Sequence, residues 1–373
     1  MAGEKNPRAL KHMFDAAFLR RLETGLKAAG MRFDARGLLP AMTKLELKDR
    51  VRLVRDHLHA QLPTPFPRSL QILIKAVEAA DLRGFDLWPI TEFVQTHGTE
   101  HPDLALTAMK RLTARFTAEW AVRPFIRQDP TATLAFLLTC ARDEDEHVRR
   151  WASEGSRPRL PWGERLACVV RDPGLTLPIL ELLKDDEALY VRKSVANHLN
   201  DISKDHPEIV VKVLKQWLRG ASVEVRVRRE WIAARALRTL VKAGHPGALA
   251  LFGARPAVGV SVEGPALARK RLRMGEDLVF TFTLRSAHAR RQKLVVDYVM
   301  HFRRADGSLS PKVFKLRQLE LGPREVAEIT KRHPLRTITT RTYHAGPQKL
   351  QIQVNGEVLG TVEWHLRDGS PRK

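Results

Sequence analysis

Hydrophobic residues recur at helical spacing through the first two thirds of the chain. From about Phe14 to Phe252 they fall mostly three or four positions apart, as in the run Leu45, Leu47, Val51, Val54 and Leu58. Proline, glycine and aspartate interrupt this pattern where helices would end. The pattern predicts that this part of the chain is nearly all helix.

The helical part also repeats itself weakly. The segment Val191–Pro207 matches Val148–Glu154, which lies forty-three positions earlier, and Glu230–Pro246, which lies thirty-nine positions later. A period near forty is typical of a HEAT-like solenoid, in which each helix pair buries its apolar face by stacking on the next pair. Equivalent positions would then line one concave wall: Glu154 aligns with Asn197, and Arg150 with Lys193.

After Pro256 the hydrophobic period changes from 3.6 to 2, which predicts strands. Asn355-Gly356 is predicted to be a type I′ hairpin turn, because both residues tolerate positive φ. About seven short strands favour an immunoglobulin-like sandwich. The predicted fold is mainly α, with a HEAT-like helical-repeat solenoid in residues 1–254 and a small all-β immunoglobulin-like sandwich in 255–373. The strands that the pattern picks out are 278–284, 293–302, 312–321, 350–354 and 358–364.

The charge of the chain points to a polyanionic partner. The 373 residues carry a formal net charge of +22, which favours either a nucleic acid or an anionic membrane surface. No apolar run approaches the roughly 20 residues that span a bilayer, and the N-terminus lacks the apolar core of a signal peptide. We therefore expect a cytoplasmic protein that does not enter membranes. Cys140 and Cys168 are expected to be reduced thiols.

Two further patterns argue against a metal or nucleotide cofactor. His97-Gly-Thr-Glu-His101 fits the H-x-x-E-H pattern of some zinc peptidases, but Gly98 and Pro102 disfavour the helix that would bring both histidines to one face. We interpret it as a loop between helices. The chain has no Walker-type phosphate loop and no G-x-G-x-x-G motif, so no cofactor and no metal are expected.

The segment Glu146–Trp162 has the composition expected for chemistry on a nucleic acid. Its seventeen residues include four arginines, two tryptophans and Glu154. Arginines can bind phosphates, indoles can lie against a sugar or base, and a carboxylate can stabilise developing positive charge. Trp151 is expected in the core and Trp162, in a loop, at the surface. The arginines alone are also compatible with a solvated basic run.

A second group of the same kind precedes it. Glu119 and Trp120 are followed by Arg123. The simpler interpretation is a helix end with a surface glutamate and a core tryptophan, but successive repeats would place Glu119 and Glu154 on the same wall. Asp201 is expected either at the site or simply in a cap or ion pair with a nearby lysine.

These residues resemble the AlkC branch of the DNA alkylation-repair glycosylases, a HEAT-like family that also contains the AlkD type. The resemblance lies in three segments, Arg149–Gly155 with its tail Arg157–Trp162, Tyr190–Pro207 and Leu82–Pro89, and covers most of residues 14–253. The strand-rich domain fits some AlkC members by architecture only.

The resemblance implies excision of cationic N-alkylated bases, chiefly 3-methyladenine, from duplex DNA without flipping the base into a deep pocket. We also expect a monomer that is associated with the nucleoid through DNA binding. It implies Glu154, as principal, and Glu119 as the carboxylates beside the deoxyribose. Trp162, Trp120 and Asp201 are expected to contact the sugar or lesion. The expected DNA-binding residues are Arg150, Arg157, Arg159, Lys193, Asn197, Arg303 and Arg304.

Two other classes of function remain open at this point. A non-catalytic HEAT scaffold that binds damaged or bent nucleic acid would make the same phosphate contacts but leave both glutamates without a task. A protein-binding HEAT adaptor would associate with DNA weakly. The strand domain is expected to close over the duplex, with Arg303-Arg304 entering the minor groove, or to be a solubilising or docking module.

Overall fold

A computed structural model describes residues 10–254, 258–338 and 341–367 of the chain. Helices occupy the first range and strands the other two, as the change of hydrophobic period predicts. Short 3₁₀ turns lie at Leu10–Met13, Gly84–Leu87 and Pro173–Leu175. The α-helices are α1 Ala16–Ala28, α2 Leu38–Thr43, α3 Leu47–Gln61, α4 Phe66–Ala79, α5 Trp88–His97, α6 Pro102–Thr113, α7 Arg123–Gln128, α8 Pro130–Cys140, α9 Glu146–Gly155, α10 Ala167–Arg171, α11 Leu177–Leu183, α12 Leu189–Ile202, α13 Pro207–Leu218, α14 Val223–Ala236, α15 Arg238–Lys242 and α16 Pro246–Leu251.

The chain forms two compact units. Met1–His206 and Trp217–Ala236 make up the first, and Pro207–Gln216 and Leu237–Lys373 make up the second. Helices α15 and α16 and most of α13 therefore belong with the strands. The predicted domain boundary, near Gly253 to Pro256, marks the change from helix to strand, and residues 255–257 lie outside the described residues.

Within the first unit, the three segments that match in sequence begin in neighbouring helices. Their first residues lie in α9, α12 and α14, and α12 packs against both of the others. Asp145 caps α9 by accepting a hydrogen bond from the His147 amide. Trp151 on the same helix is fully buried, which confirms it as a core residue. The HEAT-like register of the repeats stays a prediction.

No helix in the described part of the chain is both long enough and apolar enough to cross a membrane.

The second unit contains two sheets, which form the predicted immunoglobulin-like sandwich. One has the strand order β1-β3-β6, and the other has the order β2-β8-β7-β4-β5. Neighbouring strands are antiparallel except β2 and β8, which are parallel. The strands are β1 Val260–Leu267, β2 Arg271–Leu272, β3 Asp277–Ser286, β4 Gln292–Arg303, β5 Leu309–Leu321, β6 Val326–Pro334, β7 Gly346–Val354 and β8 Glu357–Leu366.

Alternating side chains of the sheets build the core of this unit. Phe280 and Phe282 of β3 are buried together with Tyr298 of β4. The turn between β7 and β8 is the predicted Asn355-Gly356 pair, with φ of 47° and 87°. The two residues tolerate this left-handed backbone for different reasons, since glycine lacks a Cβ and asparagine can bond locally. Asn355 Oδ1 accepts a hydrogen bond of 2.7 Å from the Val295 amide, which ties the turn to β4.

Candidate functional site

The side chain of Arg150 on α9 lies between two carboxylates. Its Nη1 is 2.6 Å from Glu119 Oε2, and its Nη2 is 3.6 Å from Glu154 Oε1. Glu119 stands in the turn before α7, whereas Glu154 lies one helical turn after Arg150 on α9. The three side chains are only 15%, 9% and 8% exposed. The structure thus brings the two sequence-predicted glutamates to one guanidinium.

Arg157 continues this arrangement by binding the same oxygen of Glu154 that Arg150 approaches. Its Nη1 lies 2.6 Å from Glu154 Oε1, and its Nη2 lies 2.8 Å from Asp201 Oδ2 on α12. Lys204 Nζ pairs with the other oxygen of Asp201 at 2.9 Å. Carboxylates and cations therefore alternate in what we call the charge row, which consists of Glu119, Arg150, Glu154, Arg157, Asp201 and Lys204.

Two hydroxyl groups fix the carboxylates of the charge row. Ser194 Oγ donates a hydrogen bond of 2.6 Å to Glu154 Oε2, and Thr117 Oγ1 donates one of 2.7 Å to Glu119 Oε2. Both oxygens of Glu154 are consequently engaged. Glu119 Oε1 has no hydrogen bond among the described residues, so one carboxylate oxygen of the charge row is left for a ligand.

The ion pairs of the charge row favour the ionised forms of Glu154, Arg150 and Arg157. Burial raises the pKa of Glu154, but the charges of Arg157 and Arg150 and the Ser194 hydrogen bond outweigh burial and hold it below its ordinary value. Burial likewise lowers the pKa of Arg150, and the charges of Glu119 and Glu154 reverse that effect. The site therefore holds fixed charges where little water competes.

Three tryptophans, including Trp120, which follows Glu119 in the sequence, lie together. The rings of Trp88 and Trp120 stack with centroids 4.9 Å apart, and Trp162 lies 6.2 Å from Trp88 and 6.3 Å from Trp120. Trp120 Nε1 donates a hydrogen bond to the Pro161 carbonyl at 3.0 Å. Trp162 is 54% exposed, as expected of a loop indole. The interpretation of Trp120 as a core residue is only half met, because its ring is partly buried.

Arg123 holds the loop that carries Trp162. Its side chain is fully buried and donates hydrogen bonds to the carbonyls of Gly155, Arg157 and Glu164. Burial lowers the pKa of Arg123 to about 10, so the group stays charged near neutral pH. In the sequence, Arg123 looks like a surface cation. In the structure it is buried and holds the loop through its hydrogen bonds to backbone carbonyls.

The structure places the sequence-predicted phosphate contacts in different environments. The guanidiniums of Arg150 and Arg157 are buried among carboxylates, with side chains 15% and 8% exposed. In this structure they hold the carboxylates, and their role as phosphate contacts stays a prediction. Arg159 is more open and pairs with Asp205 at 2.8 Å, with 28% of its side chain exposed.

The remaining predicted contacts lie nearer the surface. On α12, Lys193 is exposed and Asn197 is half-buried. In the second unit, Arg303 at the end of β4 is half-buried, and the adjacent Arg304 is exposed and donates to Ser310 Oγ at 3.2 Å. Lys193 and Arg304 are thus the predicted DNA contacts that are exposed.

Four residues of the site were not singled out from the sequence. Thr117 and Ser194 bind the carboxylates, Trp88 completes the indole cluster, and the Tyr190 ring lies 4.8 Å from the Arg150 guanidinium carbon. Ser194, Tyr190 and Trp88 fall within the segments that carry the family resemblance. Thr117, a threonine before a turn, carries no comparable signal.

The H-x-x-E-H segment is a connection between helices, as predicted. Helix α5 ends at His97 and α6 begins at Pro102. Among the described residues, no cluster of three or more histidine, cysteine, aspartate or glutamate side chains is placed to hold a metal ion.

Three similarities to known proteins bear on this site. Residues 261–368 match the family described as "Uncharacterised protein YhaZ, C-terminal Ig-like domain". The chain is 38% identical over 323 residues to the uncharacterized protein YhaZ of Bacillus subtilis (strain 168), a match that covers 87% of this chain and 88% of that one. It is also 38% identical to the alkylpurine DNA glycosylase AlkC of Pseudomonas fluorescens, solved bound to DNA containing an abasic site analogue. That similarity has a TM-score of 0.88 and covers 96% of this chain and 100% of the other.

A helical fold with an appended immunoglobulin-like domain, at this level of similarity, places the chain among the DNA glycosylases. It belongs to the AlkC family.

Proposed function

We propose that this chain excises cationic N-alkylated bases, chiefly 3-methyladenine, from duplex DNA. The observation that carries the proposal is that Glu119 and Glu154 share the buried guanidinium of Arg150. Support comes also from the AlkC protein of Pseudomonas fluorescens, which is bound to DNA containing an abasic site analogue. The proposed partner is therefore alkylated double-stranded DNA, which a monomer would meet in the cytoplasm at the nucleoid.

The chemistry of an alkylated base explains why carboxylates can promote its excision without a general acid. Alkylation at N3 or N7 gives the base a positive charge, so it departs with the bonding electrons and needs no proton from a general acid. The deoxyribose then develops oxocarbenium character, which a nearby carboxylate stabilises. Removing one preorganised electrostatic group of this kind typically costs about 10²–10³ in rate.

The contacts of the charge row suggest how the carboxylates divide the work. Glu119 Oε1 is free to approach the sugar or to orient the attacking water, whereas both oxygens of Glu154 are bound by Arg157 and Ser194. Glu154 would then contribute a fixed negative charge close to the reacting centre. The sequence-based preference for Glu154 as the principal carboxylate stays a prediction, and the free oxygen belongs to Glu119.

The indoles of Trp162 and Trp120 would pack on the sugar beside these carboxylates. Trp162 offers an exposed ring, and Trp120 is the residue after Glu119. An aromatic face near a developing cation contributes about 0.5–2 kcal/mol. Asp201 would act through Arg157, which it holds at 2.8 Å.

Selectivity in this proposal comes mainly from the reactivity of the lesion. A neutral base leaves too slowly even with the same carboxylates nearby, so the enzyme does not need to draw the nucleotide into a deep pocket. Lys193 and Arg304 would contact the backbone, with affinity that falls as salt rises.

The proposal is tested by incubating the protein with a methylated duplex and measuring free base by chromatography. We expect release of 3-methyladenine in excess of the spontaneous rate, with undamaged bases retained. Salt-sensitive binding to the duplex without release would instead identify a non-catalytic scaffold.

A further inference from the structure

A cavity of about 430 Å³ in the first unit adjoins the tryptophan cluster. Its walls include Trp88, Trp120 and Trp162, whose ring planes are within 26° of one another. Neither Glu119 nor Glu154 lines it, so the cavity is separate from the carboxylates that would act on the sugar. We call it the indole cavity; its charged and amide-bearing lining consists of Lys48, Arg52, Glu92, Gln95, Arg127 and Glu164.

Two side chains on α5 give the cavity unused hydrogen-bond acceptors. Gln95 Oε1 is buried and accepts no hydrogen bond from any described residue. Glu92 has a side chain only 15% exposed, and its ion-pair contact with Arg55 is long, at 3.6 Å. Burial raises the pKa of Glu92, and the charges of Arg55, Arg52 and Lys48 offset this only in part. Buried acceptors without donors are costly, so a ligand with N–H groups would be stabilised here.

The aromatic walls and the charge of the lining define that ligand further. Parallel indoles favour a flat ring system, which can stack on an exposed face such as that of Trp162. The lining holds three cations, Lys48, Arg52 and Arg127, against two carboxylates, Glu92 and Glu164. This balance disfavours a positively charged ring and favours a neutral one.

We infer that the indole cavity binds the freed nucleobase, a neutral planar purine that carries N–H donors. The inference rests on the proposed function. Heterolysis of the glycosidic bond leaves the electron pair with the base, which becomes neutral, while water captures the sugar cation and loses a proton. A base that is cationic in DNA thus matches the cavity only after cleavage. Trp120 lines the indole cavity and directly follows Glu119 in the sequence, so the cavity and the carboxylates share a neighbouring residue.

The test is equilibrium dialysis of the full chain against free 3-methyladenine in the absence of DNA. We expect saturable binding of one base per chain. Glu92→Gln keeps the size of the side chain but removes its charge, and should weaken this binding at least about tenfold, since a hydrogen bond to a charged group is lost. Gln95→Leu should also weaken it. Glu100→Gln is the matched control, because Glu100 is exposed and does not line the cavity.

The inference also predicts product inhibition. Free 3-methyladenine added to the wild-type protein should slow its turnover on methylated duplex, and should slow Glu92→Gln much less. Absence of saturable base binding, or equal binding by wild type and Glu92→Gln, would overturn the inference while leaving base release from DNA intact. If the chain binds the free base but releases no base from DNA, the proposed function is overturned, whereas base binding in the indole cavity is retained.

Discussion

Ser194 on α12 donates a hydrogen bond of 2.6 Å to Glu154 Oε2 on α9. The two residues are forty positions apart, and Ser153 Oγ lies 2.9 Å from the same hydroxyl. The contact fixes the orientation of a buried carboxylate from a neighbouring helix. It is also one of the interactions that hold the pKa of Glu154 below its ordinary value.

Replacing Ser194 with alanine should shift the acid limb of base excision to higher pH. Glu154 has a lowered pKa in the folded chain, so its contribution to stability is present above its unfolded pKa and is lost as pH falls through the folded one. Without the hydroxyl the folded pKa rises, and both activity and stability should fall off earlier on acidification. We expect a stability loss of about 1–3 kcal/mol, measured by urea unfolding.

Ser203→Ala is the control for this change. Ser203 is also buried, but its hydroxyl donates to the Asn200 carbonyl. The Ser203→Ala variant should lose some stability, but its pH profile of excision should match that of the wild type. A Ser194→Ala profile that superimposes on the wild type would contradict the role given to this hydrogen bond.

Arg157→Met should be strongly destabilising. The substitution leaves the carboxylates of Glu154 and Asp201, each less than a tenth exposed, without their shared cation. Breaking a buried pair in this way costs about 3–5 kcal/mol. Arg159→Met removes a more exposed partner of Asp205 and should cost less than about 1 kcal/mol. Similar urea midpoints for the two variants would show that Arg157 does not hold the charge row.

His198 should make the chain less stable in mild acid. Burial lowers its pKa to about 3, although a hydrogen bond with the Ser153 carbonyl opposes the shift. Because the unfolded chain takes up this proton first, stability is lost as pH falls from about 6.5 towards 3. From pH 7 to pH 5 this loss of stability is about 2 kcal/mol. The His198→Asn variant should not show this loss. Equal pH slopes in urea unfolding would rule out the buried neutral imidazole.

Lys193→Ala and Arg304→Ala should each weaken binding to methylated and plain duplex alike. Both side chains are exposed, and a lost phosphate contact reduces the salt slope of log K by about 0.9. Arg36→Ala, which removes an exposed cation paired with Asp34, serves as the control. A salt slope unchanged from the wild type would exclude a phosphate role for the residue substituted.

The hydrophobic pattern was sufficient to predict that helices come first and strands follow, and it located five of the eight strands among the described residues. Strand β3 alternates regularly between core and surface, and it was found. Strands β1, β2 and β6 were missed. Strand β2 has only two residues, and most residues of β1 and β6 are exposed or half-buried. The Asn355-Gly356 turn was predicted because its backbone requirement restricts the residue types.

The residue types that make up the site were predictable from the sequence, whereas the ion pairs between them were harder to predict. Glu119 and Glu154 stand out because aromatic and basic residues surround them in the sequence. The burial of Arg157 could not be seen, since its partner Asp201 lies forty-four positions away and comes close only through the packing of α9 against α12. For the same reason the fully buried Arg123 looked like any other arginine of a basic chain.

The most direct test of the account is single-turnover release of 3-methyladenine from methylated duplex by Glu119→Gln and Glu154→Gln, with DNA affinity measured on the same samples. If the carboxylates that share Arg150 stabilise the sugar cation, each variant should bind the duplex as the wild type does and release base about 10²–10³ times more slowly. Release at the wild-type rate by both variants would contradict the account and place the chemistry elsewhere in the chain.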